Sequence, residues 1–195
     1  MDADLKQQLL ADRLASFVRL KGGYPIPLAG AVYWLAIGIA GYYLPLRQWI
    51  LAAFFASGLI FPMALLFAKI LRNPFMKDRT ATGDVLFPAF VSMFLFWPIA
   101  FAAFGTAPQL VPLILAIGMS HHWPVIGWSY GQTGLYTAHA LVRAAGALFI
   151  WKVMPDDRLT ILPFWVAATY VATAIAILIF AGREARKMTA APQRV

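Results

Sequence analysis

The chain has 195 residues, of which 62% are hydrophobic and 12% charged, and it carries a net charge of +8 and no cysteine. A soluble domain is about half apolar and about one quarter charged, so a core that buried this much apolar surface would leave too little polar chain to cover it. The composition therefore indicates helices that lie in lipid, and the lack of cysteine excludes disulfides and thiolate-bound metal or iron–sulfur centres.

The basic residues of the chain flank its apolar runs. They do not form a continuous basic face, so we expect no nucleic-acid partner despite the positive charge. Beside a lipid bilayer, such clusters determine the orientation of the spans and attract anionic lipid headgroups on the cytoplasmic side.

The first predicted element is an amphipathic helix over residues 3–21. Its apolar side chains recur at the i, i+4, i+7 and i+8 spacing of one helical stripe, at Leu10, Leu14, Phe17 and Val18. The basic residues available to the wet side are Lys6, Arg13 and Arg19. We predict an interfacial helix on the membrane surface that ends at Gly22 and Gly23. The alternative is a solvated helix that packs on its own protein.

Six apolar segments follow, and each is long enough to cross about 30 Å of hydrocarbon as a helix. Their predicted bounds are 27–46, 48–71, 85–105, 108–130, 132–154 and 159–181. The only sizeable connection is the loop 72–84, and residues 182–195 are predicted to form a cytoplasmic tail. The predicted fold class is therefore all-α: a single integral membrane domain of residues 1–195, a polytopic bundle of six transmembrane helices plus the interfacial helix.

The distribution of Lys and Arg predicts the orientation of this bundle in the cell membrane. With a cytoplasmic N-terminus, twelve basic residues lie inside: Lys6, Arg13, Arg19, Lys21, Lys69, Arg72, Lys77, Arg79, Arg183, Arg186, Lys187 and Arg194. Three lie outside, at Arg47, Lys152 and Arg158. We therefore predict a multi-pass protein with both termini in the cytoplasm.

The fifth span is the least hydrophobic because it contains Arg143 and His139. Its seven Leu, Ile, Val and Phe residues contribute roughly −3 kcal/mol to insertion, and a central arginine costs roughly +3 kcal/mol. This helix is therefore expected to need its neighbours, and the small side chains of Ala140, Ala144 and Ala147 permit close helix contact.

Tyr136, His139 and Arg143 are spaced i, i+3, i+7 and share one helix face. In a hairpin that turns near residues 130–131, His122 lies at the depth of His139, with Arg143 about one turn deeper. Because adjacent helical residues point about 100° apart, at most one of His121 and His122 can face the fifth span.

The second of these two histidines is then expected to meet another helix, water or lipid, and His121 together with Ser120 is a candidate for such a contact. Arg143 has no acidic partner within the spans. Its expected acceptors are backbone carbonyls that prolines release four residues upstream. Pro62, Pro98 and Pro124 release the carbonyls of Gly58, Phe94 and Ser120.

Three interpretations of these polar residues stay open. In the first, Arg143, His139, Tyr136 and His122 line a polar cavity open to the cytoplasm, where the arginine attracts an anionic group and the histidines relay protons. In the second, the same residues form a structural polar cluster between helices. In the third, His122 and His139 are axial ligands of a haem.

We expect no other cofactor and no metal site, because no carboxylate or thiolate accompanies the three histidines. There is also no nucleophile–base pair and no acidic pair, so the chain is not expected to be an enzyme.

Three stretches, "AVYWLAIGIAGYYLP", "SGLIFPMALLFAKIL" and "HHWPVIGWSY", resemble a family of small bacterial membrane proteins classed as a domain of unknown function. The resemblance covers about residues 28 to 180. It implies a six-span bundle and supplies no activity, cofactor or catalytic residue.

Two functions are therefore predicted. The first is a small transporter or permeation protein for an anionic or proton-coupled solute, with its site around Arg143. Six spans is small for a full transporter, so this function implies a homodimer. The second is a non-catalytic membrane scaffold, a partner subunit or a lipid-interacting protein.

Overall fold

The computed structural model describes residues 3–74 and 82–190, and within these ranges every regular element is helical. The α-helices are α1 (Ala3–Leu20), α2 (Pro25–Ala40), α3 (Leu46–Ser57), α4 (Ile60–Ile70), α5 (Leu86–Phe94), α6 (Trp97–Thr106), α7 (Val111–Gly118), α8 (Trp123–Ser129), α9 (Thr133–Val153) and α10 (Ile161–Ala190). Short 3-10 helices lie at Lys21–Gly23, Gly83–Val85, Pro108–Leu110 and Pro155–Asp157. The predicted all-α class is confirmed.

Helix α1 forms where the sequence predicts it and ends at a turn of left-handed residues. Lys21, Gly22 and Gly23 have φ values of 46°, 56° and 63°, a region that favours glycine. Phe17 is completely buried, and its ring lies 6.0 Å from that of Tyr130. The C-terminal half of the predicted apolar stripe therefore packs against the protein itself.

Arg13, which the sequence assigns to the wet side of α1, is half-exposed and also contacts α8. Its Nε–H donates to the carbonyl of Trp128, and its guanidinium lies 4.3 Å from the centroid of the Trp128 ring. The planar guanidinium both donates a hydrogen bond and stacks on the indole, as arginine does at protein surfaces and interfaces. Arg13 thereby attaches α1 to the end of α8.

Helices α2 and α10 form the centre of the bundle and run antiparallel. A Cβ atom at Gly30 would lie 2.7 Å from the Tyr170 ring, and one at Gly38 would lie 2.9 Å from the Phe164 ring. Glycine is therefore required at both positions for the two helices to approach this closely. Helix α9 packs along α10 and α8, so the predicted hairpin between the fourth and fifth spans is present.

Three of the predicted spans are divided into two helices. Helices α3 and α4 meet at a bend of 47°, and breaks also separate α5 from α6 and α7 from α8. Pro62, Pro98 and Pro124 each lie within the first three residues of the second helix of their pair. Proline is tolerated there because the first helical N–H groups have no intrahelical partner.

Four helical stretches of the described chain are long and apolar enough to cross a membrane. They are Ala3–Ala40, Gly83–Thr106, Pro108–Ser129 and Ile161–Ala190, and the bent pair α3–α4 makes a fifth if it is counted as one span. Helix α9, which carries His139 and Arg143, is not among them.

The last helix is longer than expected. The sequence predicts a span that ends at residue 181, whereas α10 continues to Ala190, so the first part of the predicted tail is helical. The central part of the predicted loop, with Lys77 and Arg79, and the end of the tail, with Arg194, lie outside the described residues.

Candidate functional site

Arg143 lies in the middle of α9 and is completely buried. Its Nη1 donates to the Tyr170 hydroxyl on α10 at 2.7 Å. Its guanidinium carbon lies 4.9 Å from the Tyr170 ring centroid and 5.2 Å from that of Trp34 on α2. Aromatic faces carry partial negative charge, so the two rings stabilise the cation. Three helices thus meet around one guanidinium.

Two donor atoms of this guanidinium, Nε and Nη2, have no hydrogen-bond partner within residues 3–74 and 82–190. None of the carbonyls of Gly58, Phe94 and Ser120 accepts from Arg143, so this expectation is corrected. The Ser120 carbonyl accepts the backbone N–H of Trp123 at 3.1 Å, within the turn that joins α7 and α8. The released carbonyl is therefore used locally.

His139 lies one helical turn from Arg143 and bonds to α10. Its Nδ1 is 2.7 Å from Oγ1 of Thr173, and that hydroxyl donates to the Thr169 carbonyl at 2.8 Å. A threonine hydroxyl has a single hydrogen, so Thr173 accepts from Nδ1–H of His139. The Nε2 atom of His139 is buried and has no partner among the described residues.

Trp123, at the start of α8, faces α9. The Trp123 ring lies 4.3 Å from His139, 5.6 Å from Tyr136 and 5.5 Å from Tyr170. His122 is buried, and its ring lies 5.2 Å from Phe90 and 5.7 Å from Trp123. The side chain of α8 that contacts His139 is therefore the indole of Trp123, next in the sequence to the predicted His122.

The other predicted site residues lie apart from the arginine. His121 is exposed, and Ser120 is buried with its hydroxyl donated to the Ile117 carbonyl at 2.6 Å. Tyr136 is buried, and its hydroxyl donates to the Gly22 carbonyl at 2.6 Å. Tyr136 therefore connects α9 to the turn after α1.

We call Arg143, His139, Trp34, Trp123 and Tyr170 the arginine cluster. Three of its members, both tryptophans and Tyr170, were not predicted from the sequence. The signal for Tyr170 is the presence of Thr169, Tyr170 and Thr173 within an otherwise apolar helix, where Tyr170 and Thr173 are spaced i, i+3 and share one face. For Trp34 and Trp123 the sequence has no comparable signal, because a tryptophan in an apolar helix occurs as often in a core as in a binding site.

No group of three His, Asp or Glu side chains that could hold a metal occurs in the described part of the chain. A haem held by His122 and His139 stays a prediction. The arrangement of the two imidazole rings does not fit it. The indole of Trp123 contacts both imidazoles, with ring centroids 5.7 Å and 4.3 Å away. A porphyrin plane between the two rings would need this space.

The fold and the arginine cluster together define a class of protein. The described residues form an all-helical protein with four or five helical segments able to cross a membrane and an arginine buried between α2, α9 and α10. The chain belongs to a family of unknown function, DUF7010, whose profile matches residues 11–180. This match confirms the predicted resemblance and extends it into α1. No curated protein and no solved structure matches the chain.

Proposed function

We propose that the chain is a multi-pass protein of the cell membrane that binds a small anion, or an anionic group, at the arginine cluster. In this proposal the helices form six spans, α1 lies at the interface, and both termini are cytoplasmic. The apolar helices support the membrane location, and the twelve-to-three distribution of basic residues supports the orientation.

The observation that carries the proposed anion site is the incomplete pairing of Arg143. The residue is completely buried, no ion pair to it occurs among the described residues, and its Nε and Nη2 have no acceptor. An unpaired buried charge costs several kcal/mol, even after relaxation. An anion would supply both the counter-charge and the acceptors, and a guanidinium fork suits a carboxylate or phosphate-like group.

His139 supports coupling between anion binding and a proton. It lies on the face of α9 that carries Arg143, and both residues contact the Tyr170 ring. Its Nδ1–H is already donated to Thr173, so uptake of a proton at Nε2 would add a second cationic donor to the cluster. This arrangement suits a transporter or permeation protein that carries an anion together with a proton.

A second function, a non-catalytic scaffold or partner subunit, is favoured by a different observation. Trp34 and Tyr170 both lie within cation–π distance of the guanidinium. Desolvated contacts of this kind are each worth about 2 kcal/mol. If they offset the cost of burial, Arg143 needs no ligand and serves to join α2, α9 and α10.

Thermal unfolding of the purified protein in detergent separates the two functions. The probes are the sodium salts of chloride, nitrate, sulfate, phosphate and acetate at equal ionic strength. Binding predicts a concentration-dependent rise in Tm with at least one anion, equivalent to about 2.7 kcal/mol at 100 times its Kd. Arg143→Leu should abolish the rise, and the exposed Arg47→Leu is the matched control.

The scaffold function predicts the opposite pattern. No anion of the panel would raise Tm beyond its effect on Arg143→Leu, and the anion-binding function would then be refuted. Anion uptake into proteoliposomes with an inward proton gradient tests transport directly, because an ion-coupled carrier accumulates the anion and a binding protein does not.

A further inference from the structure

A groove of about 670 Å³ lies between α2, α4 and α10. Every side chain that lines the groove is apolar: Leu28, Ala31, Val32, Leu35, Phe67, Ile70, Leu71, Phe164, Ala167, Ala168 and Val171. Several of them are among the most exposed large side chains of their helices, including Ile70 at 65% and Leu35 at 48%. The groove is therefore an open apolar surface.

The groove is elongated along the helix axes. On α2 it runs from Leu28 to Leu35, a rise of about 10 Å. Because α10 runs antiparallel to α2, Val171 lies near the Leu28 end and Phe164 near the Leu35 end. Such a shape suits a linear hydrocarbon chain that lies parallel to the helices.

One end of the groove is basic. Ile70 and Leu71, which line it, are flanked in the sequence by Lys69 and Arg72, and both of these cations are exposed. The Asn73 amide donates to the Leu20 carbonyl at 2.7 Å, which brings the exposed Lys21 to the same end. The segments 20–28, 67–74 and 164–171, which surround the groove, contain no acidic residue.

We propose that this groove is a binding site for an anionic phospholipid. The phosphate lies on Lys69 and Arg72, with Lys21 nearby, and one acyl chain occupies the apolar groove. Two features favour this occupant: the lining is entirely apolar, and three exposed cations lie at one end. The inference takes from the proposed function only that these helices lie in a bilayer, and it does not involve the arginine cluster.

The experiment compares phosphatidylglycerol with phosphatidylcholine of identical acyl chains, titrated into the detergent-solubilised protein and followed by native mass spectrometry. The unmodified protein should bind phosphatidylglycerol more tightly. Removing both cations in Lys69→Gln/Arg72→Gln should reduce that preference about 25-fold, or about fivefold for each charge near the surface. Ala168→Trp, which fills the groove from an exposed position, should weaken the binding of both lipids.

The matched control is Arg183→Gln/Arg186→Gln, which removes two exposed charges from the C-terminal part of α10. It should leave the preference unchanged. The site is overturned if Lys69→Gln/Arg72→Gln loses no more preference than this control, or if Ala168→Trp binds both lipids as the unmodified protein does. The response of Tm to soluble anions is a separate readout, so failure here is distinguishable from failure of the anion site.

Discussion

Replacing Tyr170 with phenylalanine tests how far Arg143 depends on the hydroxyl that accepts its hydrogen bond. The substitution removes the hydroxyl that lies 2.7 Å from Nη1 and keeps the ring that contacts Arg143, His139 and Trp123. All other contacts of the arginine cluster are therefore retained. Any decrease in the free energy of unfolding can then be attributed to the lost hydrogen bond.

The expected cost exceeds the values typical of hydrogen bonds between membrane helices, because the donor is charged. Such bonds average about 0.6 kcal/mol and reach about 1.7 kcal/mol, and bonds to charged groups contribute about 1.5–3 kcal/mol. Arg143 has no second acceptor in the described chain, so we expect a cost of about 2 kcal/mol. For a chain of this size that corresponds to a fall in Tm of about 4–8 °C.

The assay is thermal unfolding in detergent followed by tryptophan fluorescence. Tyr136→Phe is the matched control, because its buried hydroxyl donates to the neutral Gly22 carbonyl and should cost only about 1 kcal/mol. In an Arg143→Leu background the cost of Tyr170→Phe should nearly vanish. Equal costs in the two backgrounds would refute the assigned role of Tyr170.

Three further predictions concern the N-terminal turn and the orientation. Gly22→Ala should cost about 3 kcal/mol, because φ is 56° there and the new Cβ would lie 2.6–2.7 Å from three side chains. Its control is Gly105→Ala, where the described chain places no packed neighbour within 4 Å of the new Cβ, so this variant should be neutral or stabilising. Similar Tm values for the two variants would contradict this account. Arg13→Ala should increase the rate at which trypsin releases α1 about fivefold, and Arg13→Lys should increase this rate less. An unchanged cleavage rate would mean that the contact between Arg13 and α8 is dispensable. Because the chain has no cysteine, the single replacements Met188→Cys and Asp156→Cys can each be labelled in intact cells with a membrane-impermeant maleimide. Only Asp156→Cys should react. Labelling of Met188→Cys alone would invert the proposed orientation.

The helices themselves could be predicted from the sequence because apolar length determines them. Helix α9 was expected at 132–154 and is found at Thr133–Val153, and the glycine pair ends α1 as predicted. The proline positions also predict where the spans divide. These features depend on local backbone chemistry, which follows directly from the positions of glycine and proline in the sequence.

The partners of Arg143 could not be predicted, because they depend on the rotation of each helix about its axis. His122 and Trp123 are adjacent, and only packing determines which of them faces α9. The prolines pointed to released carbonyls as the acceptors of Arg143. The acceptor is instead the Tyr170 hydroxyl, on a helix that has no charged residue between Ile161 and Gly182. A polar residue in an apolar helix is therefore as informative as a charged one.

The position of Tyr170 has a consequence for how the protein is made. The hydroxyl that accepts from Arg143 lies 27 residues later in the chain, and Thr173 lies 34 residues after His139. During synthesis α9 therefore emerges before either of its polar partners exists. A helix with a central unpaired arginine has almost no favourable insertion energy of its own. We accordingly expect α9 to remain at the translocation channel until α10 follows, and the two helices to enter the bilayer as a pair.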